Sequence, residues 1–325
     1  MRVLIPAVFY EDSFAENVAE TLRAMGHEVA TLGHVSLAAS WSLPRQAARA
    51  VLGHLAGDRP TAEERLVLKL AQTFHPDLLL ALTRDLHPDI LEHIGKLCPG
   101  RRVLWWGDPP SSSKRWGMLD PGWDFVYIKD AAAVAKLRLV GRHSELLHEA
   151  MNPLWHRPVG RHANNTIAVA GNSYAFRQAI CLRLMEQDVP VALYGPKPPV
   201  WSMPGYRRAY TGRYIIKEEK SRVFGEALAC LNSFSLAEGD SLNCRAFEIA
   251  GAGGLQLIEY RPAIEECFDP GKELLTFSTF DGLMSQVVRA RDDPAGMKSI
   301  REAAARRAAA EHTYEHRLKR ILTHL

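Results

Sequence analysis

The sequence predicts an α/β protein of two tandem domains, each with a parallel sheet covered by helices on both faces. Three observations predict it. The 325 residues are enough for two domains, each with a core of its own. Short apolar runs alternate with helical patterns from the first residue onward, which is typical of parallel sheets. A segment without apolar periodicity, residues 152–164, separates two such series.

The first series extends over residues 1–152. Buried strands are predicted at residues 2–6, 28–32, 77–82, 103–106 and 125–128. Ser13 and Glu16 have capping-box spacing at the start of the first helix, and Thr61 and Glu64 repeat that spacing inside a helical region over residues 44–74. The alternation of strand and helix predicts a Rossmann-like domain.

The second series extends over residues 165–310 and also predicts a Rossmann-like domain. Strands are expected at residues 166–170, 191–194, 228–232 and 255–259, with a helix over residues 174–186. Beyond residue 282 the chain is helical to its end. The last segment, residues 311–325, is expected to be a helix that packs back toward the first domain.

The composition is that of an ordered globular protein, with 47% hydrophobic and 24% charged residues. A net charge of +3 is too small to predict nucleic-acid binding, but it allows an acidic ligand or a weak membrane-surface contact. The five cysteines form no CxxC pair and are expected to be reduced thiols. With no signal peptide and no apolar run long enough to span a membrane, we expect a cytoplasmic protein.

The loop over residues 168–177 is the first candidate site, because ligands bind parallel sheets at the carboxyl ends of the strands. Gly171 allows close approach of the backbone, and the amides of Asn172 and Ser173 point outward at the start of a helix. Arg177 is placed to reach a phosphate. The alternative is an ordinary turn between strand and helix.

The second loop, residues 238–254, is more informative. Asp240 or Ser241 is placed to cap a helix that begins at about Leu242. The free amides of residues 241–243, including that of Asn243, predict an anion site at the helix N-terminus.

Two charged side chains follow on the same predicted helix. Arg245 adds a positive charge one turn in, and a charge-assisted hydrogen bond from it contributes roughly 1.5–3 kcal/mol to anion binding. Glu248 lies two turns beyond Asp240, and its alternative role is a surface carboxylate paired with an arginine.

Together these blocks resemble the CgeB (spore-maturation-protein-like) glycosyltransferases. The resemblance covers nearly the whole chain and is most specific at residues 232–254 and 312–317. It rests on residues 238–254, GKELLTFSTFDGL, EHTYEHRLKRIL, and on GHEV, HPDLLLAL and WWGDPP in the first half.

The resemblance implies the GT-B fold, in which two Rossmann-like domains face each other across a cleft. It also implies transfer of a sugar from a UDP- or GDP-linked donor to an acceptor hydroxyl, with retained configuration. Asp240 and Glu248 are separated by seven residues, as is the acidic pair of retaining GT-B enzymes, although that pair begins with glutamate. On this basis Glu248 would hold the ribose hydroxyls and Asp240 would contact the donor sugar.

Two further residues are candidates for the donor site. Lys197 follows a strand beside the first loop and could reach the base or a phosphate. Tyr214 lies in GRYII, residues 212–216, where folds of this kind offer backbone hydrogen bonds to a nucleobase. Their alternatives are an ordinary turn and an edge strand.

The acceptor is expected to enter from the first domain, and its chemistry needs a general base within hydrogen-bond reach of the acceptor hydroxyl. Asp108 is the first candidate, because it follows a buried strand between a glycine and two prolines. Asp12, after the first strand, is the second. The alternatives are a turn-capping carboxylate for Asp108 and a helix cap for Asp12.

No metal ion and no cofactor are expected, since the chain has no Asp-x-Asp, HExxH or Cys/His cluster. The expected partners are a nucleotide sugar and a glycan, protein or lipid acceptor. A nucleotide-sugar epimerase and a non-catalytic nucleotide- or sugar-binding protein on the same fold are the alternatives.

Overall fold

The computed structural model of the chain describes residues 1–36, 51, 59–113 and 116–324. These residues form two compact units. The first comprises Met1–His148 together with Arg317–Leu325, and the second comprises Glu149–His316. The boundary falls at His148, ahead of the predicted linker over residues 152–164, and all of that linker belongs to the second unit.

The first unit is a parallel α/β sheet of six strands in the order β2-β1-β3-β4-β5-β6. Every residue of β3 is buried, as expected for a strand with helices on both faces. The elements are β1 Arg2–Ile5, α1 Phe14–Ala24, β2 Glu28–Thr31, α2 Ala62–Phe74, β3 Leu78–Leu82, α3 Pro88–Leu97, β4 Arg101–Trp106, β5 Phe125–Ile128, α4 Ala131–Leu139 and β6 Ser144–Leu146.

The second unit contains a parallel sheet of five strands in the order β11-β10-β9-β7-β8. Its elements are β7 Ile167–Ala170, α5 Ala175–Glu186, β8 Val191–Tyr194, α6 Lys217–Glu226, β9 Ala229–Asn232, α7 Cys244–Gly251, β10 Gln256–Glu259, α8 Ala263–Cys267, β11 Leu275–Phe277, α9 Phe280–Asp292 and α10 Pro294–Glu311.

Local sequence signals place the helix starts where they were predicted in the first unit. The Ser13 side chain accepts a hydrogen bond from the Glu16 amide and caps α1. Thr61 and Glu64 form a reciprocal capping box at the start of α2. The first part of the predicted helical region, residues 44–50 and 52–58, lies outside the described residues.

The last helix, α11 (Tyr314–Leu322), begins in the second unit and belongs to the first unit from Arg317 onward. Leu318 and Ile321 are fully buried. The Arg317 side chain donates to the carbonyl of His148, and the Arg320 guanidinium pairs with Glu145 at 2.7 Å. The first unit is therefore completed by a segment from the far end of the sequence.

Candidate functional site

The strand order of the second sheet defines where a ligand can bind. The chain passes from β7 to β8 on one side and later to β9 on the other. The loops after β7 and β9 therefore diverge and leave a crevice at the carboxyl ends of the strands, where open parallel sheets bind ligands. The two candidate loops of the sequence, after β7 and after β9, are these loops. We call this place the switch-point crevice.

Gly171 begins the first loop with φ +108°, a conformation that favours glycine. A Cβ atom at this position would lie 2.5 Å from Nη1 of Arg245. A Cβ atom on Gly195 would in turn lie 3.0 Å from the Gly171 carbonyl oxygen. Because the two glycines have no side chains, the Arg245 guanidinium can lie directly against the Gly171 backbone.

The N–H groups of Arg245, on α7, donate no hydrogen bond to the described residues of the protein. Within the described part of the chain its guanidinium makes no hydrogen bond and no ion pair, and its buried Nε has no partner. Burial lowers the pKa of Arg245, whereas the electrostatic influence of Cys244 and Glu248 raises it. The net pKa lies above the ordinary value for arginine. A charged, unsatisfied donor set therefore lies at the switch-point crevice.

Helix α7 begins later than predicted, and a different residue caps it. Asn243, not Asp240 or Ser241, is the N-cap, and its Oδ1 accepts from the Ala246 amide. The Asn243 amide group also exchanges hydrogen bonds of 3.0 and 3.1 Å with the side chain of Asn232, at the end of β9. Asn243 is thus a buried anchor of the helix N-terminus on the sheet.

Glu248 lies one turn beyond Arg245 on α7, and its side chain is buried. Its Oε1 accepts from Nζ of Lys220 on α6 at 3.0 Å. Its Oε2 is buried and has no hydrogen-bond partner. Buried carboxylate oxygens are nearly always satisfied, so the Oε2 atom indicates a place for hydroxyl donors of a ligand.

His156 packs against the same carboxylate. Its Nδ1 accepts from the Asn152 amide at 3.1 Å, which places the proton of the neutral ring on Nε2. That nitrogen lies 3.8 Å from Glu248 Oε1. Lys220 and His156 therefore both face Oε1 and leave Oε2 as the available acceptor.

Arg177 does not serve as the predicted phosphate ligand in this structure. Its side chain is 1% exposed, and burial lowers its pKa. Its N–H groups donate to the side-chain or carbonyl oxygens of four residues, namely Ala170, Asn172, Tyr174 and Ser233. A guanidinium has only five N–H donors, and here all are used by protein acceptors. Arg177 instead joins the loop after β7 to the loop after β9.

Asp240 is exposed, and its carboxylate is already in use on one side. Oδ1 accepts from the Ala263 amide at 3.1 Å, at the start of α8. The loop carrying Asp240 is also held by Arg261, which donates to the carbonyls of Gly239 and Ser241 and lies 3.4 Å above the Phe234 ring. These contacts hold the loop where the sequence predicts contact with the donor sugar.

The remaining candidates of the second unit lie around the crevice without a demonstrated ligand role. The Asn172 carbonyl accepts from Arg177, and the Ser173 hydroxyl accepts from Tyr206. Leu242 is fully buried and belongs to the core. Lys197 and Tyr214 are exposed, and residues 212–216 form no edge strand. The Gly195 amide nevertheless bonds the Arg213 carbonyl, which links these two segments at 2.9 Å.

The two acidic candidates of the first unit both follow strands at their carboxyl ends. Asp108 is exposed after β4 in a loop held by a bond from the Gly107 amide to the Thr83 hydroxyl, 2.9 Å long. Asp12 follows β1 with φ +62°, and its amide donates to Glu16 at 2.6 Å. Ser13, rather than Asp12, caps α1.

A cavity of about 660 Å³ in the second unit lies elsewhere. Leu228 and Gly253, which line it, come just before β9 and β10, so it opens at the amino ends of the strands. Arg301 in its wall donates to the carbonyls of Ala227 and Leu228. Its size does not make it the donor site, because the loops of the switch point are at the opposite edge of the sheet.

Sequence reasoning missed Lys220, His156 and Arg261. Lys220 is one of several charges on α6, and nothing in its spacing pairs it with a glutamate in a later helix. His156 lies in a segment without periodicity. Arg261 follows β10, and the sequence shows its charge but does not show which carbonyl groups its side chain contacts.

Comparisons with known proteins agree with this fold. Residues 176–323 match the model of a family described as "Glycosyl transferase-like". No curated protein matches the chain at a significant level. The matched segment includes α5, α6 and α7 with Lys220, Arg245 and Glu248.

Solved structures of glycosyltransferases share the whole architecture at low sequence identity. Sucrose-phosphate synthase from Thermosynechococcus elongatus has a TM-score of 0.68 at 15% identity over 99% of this chain and 98% of its own. Anabaena HepE, solved with UDP-glucose, has 0.66 at 10% identity over 100% of both chains. A Rickettsia africae glycosyltransferase has 0.63 at 9% identity over 99% of this chain and 97% of its own.

The chain has the GT-B fold, and residues 176–323, most of which lie in the second unit, are similar to the glycosyltransferase-like family. The prediction of two Rossmann-like α/β domains is confirmed. Among the described residues no helix is both long and apolar enough to cross a membrane.

Proposed function

We propose that the protein transfers a sugar from a nucleoside diphosphate donor to an acceptor hydroxyl, with the donor bound in the switch-point crevice. The observation that carries the proposal is the Arg245 guanidinium, which lies on the Gly171 backbone without a hydrogen bond to any described residue. A partly buried cation whose N–H groups donate to no described residue fits the diphosphate of such a donor.

Glu248 supports the same orientation of the donor. Its unused Oε2 lies one helical turn from Arg245, and ribose hydroxyls are donors of the kind this oxygen lacks. Anabaena HepE was solved in complex with UDP and glucose and with UDP-glucose, which favours a UDP-linked sugar over a GDP-linked one for this chain. Asp240 then contacts the sugar with the oxygen that does not bind the Ala263 amide.

The proposed reaction breaks the bond between the anomeric carbon and the leaving diphosphate oxygen, and forms one to the acceptor oxygen. Arg245 and the N-terminal amides of α7 stabilise the charge that develops on the leaving diphosphate. We propose a reaction without metal ions and with retained configuration, the outcome that the spacing of Asp240 and Glu248 favours. A CgeB-like family membership belongs to the same proposal.

We expect nucleotide release from UDP- or GDP-linked sugars only when an acceptor is supplied, at the same rate with and without EDTA. The test is a panel of nucleotide sugars and of glycan, peptide and lipid acceptors, with released nucleotide as the readout. Release of epimer or free sugar without acceptor would favour an epimerase. Binding without turnover across the panel would favour a non-catalytic protein. A rate lost in EDTA and restored by Mn²⁺ would contradict the metal-free reaction.

Asp108 is proposed as the base that takes the proton of the acceptor hydroxyl, and Asp12 is the second candidate. Replacing Asp108 with asparagine is expected to slow transfer about a hundredfold or more, the usual contribution of a general base. Nucleotide affinity, measured by calorimetry, should stay within a few-fold, because the residue belongs to the first unit. A collapse of nucleotide affinity in Asp108→Asn would instead place the residue in the donor site or in the fold.

A further inference from the structure

A proline-rich loop after β8 carries two of the most exposed apolar side chains of the protein. Val200 is 93% exposed and Trp201 is 61% exposed, and they are neighbours in a turn from Pro199 to Ser202. We call this turn the Val200–Trp201 tip. Isolated exposed apolar residues are normal, but an adjacent valine and tryptophan at a loop apex are a candidate contact surface.

The tip is held in its exposed position by hydrogen bonds. The Pro199 carbonyl accepts from the Ser202 amide, the Ser202 hydroxyl and the Arg207 guanidinium, at 3.0, 2.6 and 2.5 Å. The Met203 amide donates to the Gln178 side chain at 2.8 Å, which ties the loop to α5. The apolar pair therefore cannot fold back onto the protein without breaking this network.

The segment of sequence that carries the tip has charged residues of one sign. Residues 189–217 contain no aspartate or glutamate, but they include five cations. Arg207 and Arg208 follow the tip directly and are exposed. The Arg208 side chain makes no hydrogen bond with the described residues. An apolar apex beside unopposed arginines complements a surface that is negatively charged outside and apolar beneath.

We propose that the Val200–Trp201 tip docks on a membrane surface rich in anionic lipid. Tryptophan is favoured at the boundary between head groups and acyl chains, and valine adds apolar area that a soluble polyanion would leave exposed. Arg207 and Arg208 bind the lipid phosphates. Through Tyr206, which donates to Ser173, the same loop is joined to the first loop of the switch-point crevice. Docking would thus hold the donor site near the membrane.

Vesicle sedimentation tests the proposal. The intact chain is expected to bind vesicles of phosphatidylcholine mixed with phosphatidylglycerol, and not vesicles of phosphatidylcholine alone. The binding should weaken at high salt, because the electrostatic part is screened. Val200→Ser/Trp201→Ser should lower the partition coefficient at least about tenfold, from the apolar area lost. Arg208→Gln should lower it about fivefold.

Matched controls separate the tip from other exposed apolar residues. Leu66→Ser changes a 54% exposed leucine flanked by Glu63, Glu64 and Arg65, and should leave vesicle binding unchanged. Leu139 and Val140, at the end of α4, form a second exposed apolar pair near cations, without an aromatic residue. Leu139→Ser/Val140→Ser should also retain binding.

Three results would overturn the proposal. One is no binding of the wild type to anionic vesicles at low salt. Another is loss of binding in Leu139→Ser/Val140→Ser with binding retained in Val200→Ser/Trp201→Ser. Nucleotide affinity reports on folding of each variant. If the double variant at the tip lost that affinity too, Arg208→Gln would decide, and unchanged vesicle binding in it would contradict the docking.

Discussion

Replacing Glu248 with glutamine is expected to lower nucleoside diphosphate affinity about ten- to a hundredfold. Glutamine keeps the volume of the side chain but cannot present a charged acceptor at the Oε2 position, which has no protein partner. Because this oxygen is assigned to ribose, the affinity for the nucleoside without phosphates should fall by the same factor. Calorimetry with the nucleoside and with its diphosphate measures both.

Lys220 complicates this variant, because its largely buried side chain loses the charge of its 3.0 Å partner. Removing one partner of such a pair destabilises the fold by itself. The double variant Lys220→Met/Glu248→Gln removes both charges of the pair and should recover thermal stability without recovering affinity. If nucleotide affinity returned in the double variant, the loss would come from Lys220 and not from a ribose contact.

Asp240→Asn is the matched acidic control for Glu248. Asp240 is exposed and is expected to touch only the sugar, so the variant should bind nucleoside diphosphate normally and turn over slowly. Because Asp240 also accepts a hydrogen bond from the Ala263 amide at the start of α8, a melting curve is needed to show that this helix is intact. Equal loss of nucleotide affinity in Asp240→Asn and Glu248→Gln would mean that the pair only braces the fold.

Replacing Arg245 with glutamine should also lower the affinity for the nucleoside diphosphate about ten- to a hundredfold, since one charge-assisted contact is lost. The affinity for the nucleoside alone should not change, in contrast to Glu248→Gln. Stability should be retained, because the Arg245 guanidinium makes no hydrogen bond within the described residues. Calorimetry with the two ligands distinguishes the variants, and an equal loss for nucleoside and diphosphate in Arg245→Gln would remove Arg245 from the phosphate site.

Arg177 provides the matched control for Arg245. Its donors bind the loops on both sides of the crevice, so Arg177→Met leaves several buried acceptors unsatisfied, each at a cost of about 1–3 kcal/mol. The expected result is a lower melting temperature, with nucleotide affinity reduced only as far as the loops lose their order. A stable Arg177→Met with strongly reduced diphosphate affinity would restore the predicted phosphate role of Arg177.

The pattern of the sequence predicted most of the sheet. The strands at residues 125–128 and 191–194 were predicted with their observed ends, because each is a short apolar run bounded by turn residues. The short strands β6 and β11 were missed, since three residues carry too little pattern to stand out. The capping residue of α7 was also wrong, because Asp240, Ser241 and Asn243 are all good N-caps and only the contact with Asn232 selects among them.

The candidate site was predictable where it depends on residues that are close together in the sequence. Gly171, Arg245 and Glu248 were chosen as candidates because strand-end loops bind ligands and the helix places two charges one turn apart, and the structure brings the three residues to one edge of the second sheet. The partner of each charge was not predictable. Arg177 and Arg245 are both arginines near a helix start, but one meets five acceptors and the other none, and this depends on how the loops after β7 and β9 pack together.

The origin of the first unit in two distant chain segments has a consequence for protein synthesis. The ribosome makes residues 149–316 before it makes Arg317–Leu325, which the first unit needs. Leu318 and Ile321 occupy buried positions there, and Arg320 of the same segment forms an ion pair with Glu145. Domains generally fold as units while the chain emerges. The first unit therefore cannot complete its fold before residues 317–325 have been made, although it is the unit that is translated first.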